Sequence, residues 1–295
     1  MQEQVTEFLT YARSILERVE FLLPQTNMQI DWQETLAARW LRQGNNGFLI
    51  PLQVSLDVNL ADLKGMERQR ELLEKNTQQL IAGYPANHAL LWGARGTGKS
   101  SLVRAILAQQ AKSGLRLIEV ERDNLADLPR IVESLGKLPQ KFIVFCDDLS
   151  FDAGDDFRIL KSVLDGSLEK APDNVLLYAT SNRRHLVSER ESDNASWQQV
   201  DGEIHPSEAA EDKIALSDRF GLWLSFYPFS QDQYLSVVEH WIDHWAQASQ
   251  LTWEMDETLT KEAVRWATQR GNRNGRCAQQ FAKYWVGRQL LAQDL

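Results

Sequence analysis

A chain of 295 residues, 43% apolar and 25% charged, is long enough for one large α/β domain with small helical attachments, and its balance excludes a disordered or fibrous protein. The formal charge of −9 excludes broad, sequence-independent association with nucleic acid, which needs an excess of Lys and Arg, although a local basic groove remains compatible with it. Cys146 and Cys277 cannot make a disulfide framework, the opening MQEQVTEFLT lacks the basic-then-apolar order of a signal peptide, and no apolar run approaches the roughly 20 residues of a membrane helix; a soluble, cytoplasmic protein with reduced thiols is expected.

In chain order, residues 1–56 read as a small N-terminal helical region for packing or partner contact. Phe8, Ile15, Val19, Leu22 and Leu23 recur at helical spacing before Pro24, and a second amphipathic stretch, Trp32 through Leu41, ends at the turn-forming Gly44-Asn45-Asn46-Gly47. From Asp57 the pattern changes. Asp62-Leu63-Lys64-Gly65 opens a helix over 67–81, and His88 to Trp92 is a short apolar run of the kind a buried parallel strand gives. A helix is predicted from Lys99 to about Lys112, with further strands over 115–120, 142–146 and 175–179 and helical stretches between them. Such alternation implies a parallel sheet with crossover helices on both faces, spanning 57–228. Within it, residues 189–212 are rich in Asp and Glu and poor in apolar groups, which predicts an exposed, mobile loop. Residues 229–295 read as helical, with Trp241, Trp245, Trp253, Trp266 and Trp285 as their core and as their seam with the sheet domain.

Gly93-Ala94-Arg95-Gly96-Thr97-Gly98-Lys99-Ser100, followed by Ser101, fits the phosphate-loop pattern G-x-x-x-x-G-K-[ST] completely, with a strand before it and a helix after. Glycines let the backbone turn tightly and aim its N–H groups at phosphate oxygens, and the positive end of the following helix adds to that field. Lys99 is expected to bridge the β- and γ-phosphates of ATP, and the Ser100 hydroxyl to ligate Mg²⁺. The strand over 142–146 ends in Asp147 and Asp148, carboxylates that belong at the carboxyl end of a buried strand, where ligands bind in open α/β sheets. Asp147 is the expected Mg²⁺ partner and Asp148 the group that orients or deprotonates the attacking water; the bland alternative is a capping or loop carboxylate pair. Asn182, closing the run from Val175, is placed to hydrogen-bond the γ-phosphate or the attacking water, with a plain turn residue as its alternative.

These three runs, in this order, resemble the AAA+ ATPases: Walker A, Walker B and a sensor-1 Asn. Ser217-Asp218-Arg219-Phe220-Gly221 looks like the segment whose Arg acts as a finger on a neighbouring subunit's ATP. Arg270-Gly271-Asn272-Arg273-Asn274-Gly275-Arg276 looks like sensor 2, with Arg276 or else Arg273 as the phosphate contact, and Asp62-Leu63-Lys64-Gly65 resembles the upstream box near adenine. More narrowly, the strings 145–151, 178–186 and 217–222 are similar to an uncharacterised bacterial group of predicted ATPases, the domain of unknown function 815. The resemblance runs from about Leu60 to the C-terminus. It implies an α/β P-loop fold with an AAA+ type parallel five-stranded sheet, a C-terminal helical lid, ATP and Mg²⁺ as ligands, and a homo-oligomer with Arg219 acting in trans. One departure stands out: AAA+ enzymes usually carry Glu after the Mg²⁺ carboxylate, where this chain has Asp148, one methylene shorter.

For Arg219 the alternative is a surface salt bridge with Asp218 or the acidic loop, an interaction worth only ~0–1 kcal/mol. Arg183-Arg184-His185 suits phosphate, nucleic acid or a solvated loop face. Glu203, His205 and Asp201 are too loose a set for a metal site. The leading expectation is an ATPase coupled to remodelling or loading of an unidentified protein client. A nucleotide-gated switch with little turnover is the alternative, and a DNA-associated loader or initiator is disfavoured by the charge and by the lack of a helix-turn-helix, a zinc finger or a basic tail.

Overall fold

The structure, a computed structural model, describes residues 30–44, 46–54, 59–149, 160, 163–164, 172–182, 198–200, 203–205 and 219–293. Its strands are β1 (Ala37–Gln43), β2 (Asn46–Leu52), β3 (Ala89–Gly93), β4 (Leu115–Glu119), β5 (Lys141–Cys146), β6 (Val175–Ser181), β7 (Gln198–Val200), β8 (Glu203–His205) and β9 (Leu222–Phe226). Its helices are α1 (Glu67–Ala82), α2 (Lys99–Gln110), α3 (Leu128–Gly136), α4 (Gln231–Ser249), α5 (Glu257–Gln269) and α6 (Gly275–Gln293).

The main sheet has the order β2-β1-β4-β5-β6-β3-β9. Its five strands from β4 to β9 run parallel, as expected, but among the described residues this sheet has seven strands rather than five. The two extra strands come from the region expected to be helical. Instead of a helix over Trp32 to Leu41, the chain forms the antiparallel hairpin β1–β2, with β1 parallel to β4 at the sheet edge. Tertiary contact overrides local propensity here. Ala37, Ala38 and Trp40 are buried, and the Trp40 indole donates to Asp127 Oδ2 at 2.9 Å. Gly47 has no side chain because the Trp40 ring occupies the space a Cβ would need. The expected helices of residues 1–29 lie outside the described residues.

Side chains alternate between two cores, as a two-sided sheet requires. Leu90, Phe142, Val144, Leu177 and Ala179 face α3, while Leu91, Ile143, Phe145, Leu176 and Tyr178 face α1 and α2. The helices α4, α5 and α6 enclose a separate core around Tyr234, Ile242, Ala263, Phe281 and Trp285. In the acidic stretch, β7 and β8 pair antiparallel, so it contains a hairpin rather than loop alone; the rest of that stretch, and Arg183-Arg184-His185, lie outside the described residues. No described helix is long and apolar enough to cross a membrane.

Candidate functional site: a phosphate loop facing a helical lid

The loop between β3 and α2 is shaped by its glycines. Gly93 has φ +134°, and a Cβ there would lie 1.9 Å from the carbonyl oxygen of Phe226, which accepts from the Ala94 N–H at 3.0 Å. Only glycine permits that approach of β3 and β9. Gly96 and Gly98 are also left-handed, and their missing side chains leave room for Asn274 and Met66.

Lys99, the first residue of α2, is 6% exposed. Its ammonium donates to the carbonyls of Gly93 (2.7 Å) and Ala94 (2.8 Å) and lies 3.3 Å from Asn182 Oδ1. Burial lowers its pKa, against the opposing pull of Asp147 and Asp148. Its three close acceptors are uncharged oxygens, so the positive field remains available to an anion.

The turn after β5 places the two carboxylates on opposite duties. Asp147 Oδ1 accepts from Ser100 Oγ at 2.7 Å and from Thr180 Oγ1 at 2.5 Å. Asp148 sits at φ +53°, a conformation that Asp tolerates better than most residues, and its N–H donates to Thr180 Oγ1 at 2.8 Å. Its side chain is 57% exposed, accepts from Asn182 Nδ2, and pairs with Arg95 at 3.6 Å. Thr180 therefore ties β6 to the Asp147 carboxylate and to the Asp148 backbone, a role sequence reasoning missed although Thr180 lies within the run from Val175 to Asn182. Cys146, one residue earlier, is fully buried, and burial pushes its thiol up to about 12, which leaves it an inert wall.

These groups line a cleft of about 740 Å³ between the sheet and the lid. Asp62, Leu63 and Met66 line it together with Trp241, His244 and Trp245 of α4; Trp241 and Trp245 were expected as core and seam, with a cofactor or base-stacking platform as the lesser alternative. Asp62, expected to open a helix, lies in the one-turn segment Leu60–Asp62, and His240 Nε2 reaches its carboxylate at 3.1 Å. The lid is fastened to the phosphate loop itself. Asn274 Nδ2 donates to the carbonyl of Arg95 at 2.9 Å, and the Arg276 N–H to that of Gly96 at 3.2 Å. The Arg276 side chain lines the cleft and makes no hydrogen bond or ion pair among the described residues, whereas Arg273 is absent from the lining.

Arg219 is elsewhere. It precedes β9 at the end where Leu222 pairs with Ala89, whereas the phosphate loop leaves β3 where Gly93 pairs with Phe226. Four residue steps at about 3.3 Å put roughly 13 Å of strand between the two ends. Arg219 is thus not brought together with Lys99, Asp147, Asp148 and Asn182.

The donor set fits a magnesium–triphosphate complex: a glycine cradle of backbone N–H groups, a buried ammonium, and a hydroxyl beside a carboxylate on hard oxygen ligands. Among solved structures, the fold resembles a RuvB variant from Thermotoga maritima, with 16% identity, a TM-score of 0.50 and coverage of 76% of this chain. This chain spans only 64% of that RuvB chain. The Orc1 protein of Aeropyrum pernix, solved in complex with DNA, aligns over 77% of this chain and 63% of its own at 18% identity, with a TM-score of 0.49. No curated protein matches the sequence significantly. A family match does exist, over residues 33–289, and that span holds every group lining the cleft. With that match and the phosphate-loop geometry together, the chain belongs to the family described as protein of unknown function, DUF815, on the fold of the AAA+ P-loop ATPases.

Proposed function

We propose that this protein is a Mg²⁺-dependent ATPase that couples hydrolysis to remodelling or loading of a macromolecular partner in the cytoplasm. The observation that carries the reading is the convergence of Lys99, Ser100, Asp147, Asp148 and Asn182 on a single cleft, with Asn182 bonded to both Lys99 and Asp148 and Ser100 bonded to Asp147. Ser100 and Asp147 would hold the cation, and the N–H groups of residues 95–101 with Lys99 would hold the phosphates, Gly93 and Ala94 shaping the start of the loop. Asp148 positions the attacking water, helped by Asn182, and Arg276 contacts the phosphates from the lid. Bound Mg²⁺ supplies charge neutralisation for the leaving phosphates. Arg219 supplies a cation to the site of a neighbouring copy, a role supported by its place a strand's length from its own phosphate loop. The sheet portion, residues 57–228, carries the chemistry, and residues 229–295 act as the lid.

Steady-state phosphate release tests the reading. The wild-type protein should turn over ATP only with Mg²⁺, and Lys99→Ala and Asp148→Asn should each lower turnover by about 10²-fold or more, the scale of a lost transition-state contact. Turnover unchanged in Lys99→Ala overturns the proposal. A nucleotide-gated switch with slow turnover is the second reading, favoured by the short Asp148 side chain and its ties to Arg95 and Asn182. Tight binding of ATP without release of phosphate, even at high protein concentration, selects it.

A further inference from the structure

A second cavity, of about 200 Å³, adjoins the nucleotide cleft and shares Arg95, Gly96 and Arg276 with it. The first turns of α6 present Gly275, Arg276 and Gln279 to the cleft, but Cys277 and Gln280 to the second cavity. Three guanidinium groups line that cavity, those of Arg95, Arg270 and Arg276, with the amides of Asn272, Asn274 and Gln280 between them. No Asp or Glu is among its lining residues.

The cluster stands on a fixed frame. The guanidinium carbon of Arg270 sits over the Trp266 ring, 3.5 Å from its centroid, and Trp266 stacks in turn on Tyr284. Stacking holds one face of the guanidinium and leaves its N–H edge for a ligand. Asn274 is fully engaged, accepting from the Cys277 N–H at 2.8 Å and donating to the Arg95 carbonyl. The Asn272 amide donates to the Arg270 carbonyl at 3.2 Å, and the Phe229 N–H to that of Arg273 at 2.9 Å. Three like charges held around so small a volume repel one another, and among the described residues the only acid paired with any of them is the exposed Asp148, 3.6 Å from Arg95.

We propose that this cavity is a second anion site, selective for a phosphate group, set between the lid and the phosphate loop. Planar guanidinium edges match phosphate oxygens in pairs, and the volume suits one tetrahedral oxyanion. An anion held there ties Arg270 and Arg276 of the lid to Arg95 of the loop. Free orthophosphate and the phosphodiester of a nucleic-acid chain share that chemistry.

The test is calorimetry on the full-length protein, saturated with Mg²⁺ and a non-hydrolysable ATP analogue so that the phosphate loop is occupied. Binding of the analogue is measured first, which separates failure of the nucleotide reading from failure of the second site. Inorganic phosphate is then titrated at constant ionic strength, and a short single-stranded oligonucleotide in a parallel run. We expect saturable binding of at least one probe, weakened about tenfold in Arg270→Ala, the equivalent of one charge-assisted hydrogen bond. Arg270→Gln, which keeps a side-chain stem over Trp266, should show the same loss, with analogue affinity and Tm unchanged in both variants. Binding of phosphate assigns the site to the free ion, and binding of the oligonucleotide alone assigns it to a nucleic-acid backbone. No saturable binding of either probe, or binding that survives both Arg270 variants, overturns the proposal.

Discussion

In the proposed reaction, Asp148 is the residue on which the rate turns. Its carboxylate is one methylene shorter than the usual Glu, and it is held by Asn182 on one oxygen and Arg95 on the other. A base displaced by about 1 Å costs on the order of 10²-fold in rate. Asp148→Glu should therefore raise turnover by about ten- to a hundredfold with nucleotide affinity unchanged, measured as kcat against Kd; a fall in kcat would mean that the shorter side chain already sits where the water needs it. At this scale the phosphate loop was fully legible, because each of its residues has a fixed job tied to backbone geometry. Thr180 and Asn274 were not. A Thr beside a carboxylate and an Asn in a polar loop gain their roles only from neighbours 33 and 179 residues away in the chain.

Among the elements, the seam of α1 with β6 carries the clearest consequence for stability. Tyr178 Oη accepts from Asn76 Nδ2 at 3.0 Å and lies 2.9 Å from Thr77 Oγ1, which locks the helix to the strand. Below it, His88 Nδ1 accepts from the Leu177 N–H at 3.0 Å, and burial lowers its pKa to about 4. An unfolded chain protonates this histidine near 6.5, whereas the folded one resists until about 4. Stability from the neutral ring is complete above pH 6.5 and is lost as the pH falls toward 4, by about 3 kcal/mol in all. Chemical denaturation at pH 7.5 and pH 4.5 should thus show a smaller acid loss in His88→Asn, which keeps an acceptor without the titration; an equal loss in both proteins would contradict this origin. The continuous apolar runs gave away β3 to β6, since strands buried on both faces need no alternation. The hairpin β1–β2 was misread, because Ala, Arg, Leu and Gln favour helices, and only the burial of Trp40 against its sheet neighbours selects strand.

For the whole molecule, the cleft is closed on one side by a lid whose last helix, α6, is hydrogen-bonded at its start to the phosphate loop. Nucleotide binding and lid position are thereby linked through the carbonyls of Arg95 and Gly96. In the proposed reading, Arg219 extends the logic to a neighbour. Activity per subunit should rise with protein concentration, and mixing Arg219→Ala with Lys99→Ala subunits should restore part of the turnover each lacks, because the first has an intact phosphate loop and the second an intact Arg219. No rescue would leave Arg219 as a local structural residue. This placement could not be read from spacing alone. The sequence marks Arg219 as a candidate, but only the parallel register of β3 and β9 puts it at the opposite end of the strands from Lys99.

Direct calorimetric titration of Mg·ATP into the wild-type and Lys99→Ala proteins tests the central claim most closely. The account predicts saturable one-to-one binding to the wild type that requires Mg²⁺ for full affinity, and binding weakened by at least about tenfold without the Lys99 ammonium. A wild-type protein that takes up no nucleotide, or a Lys99→Ala protein that binds it equally well, would contradict it.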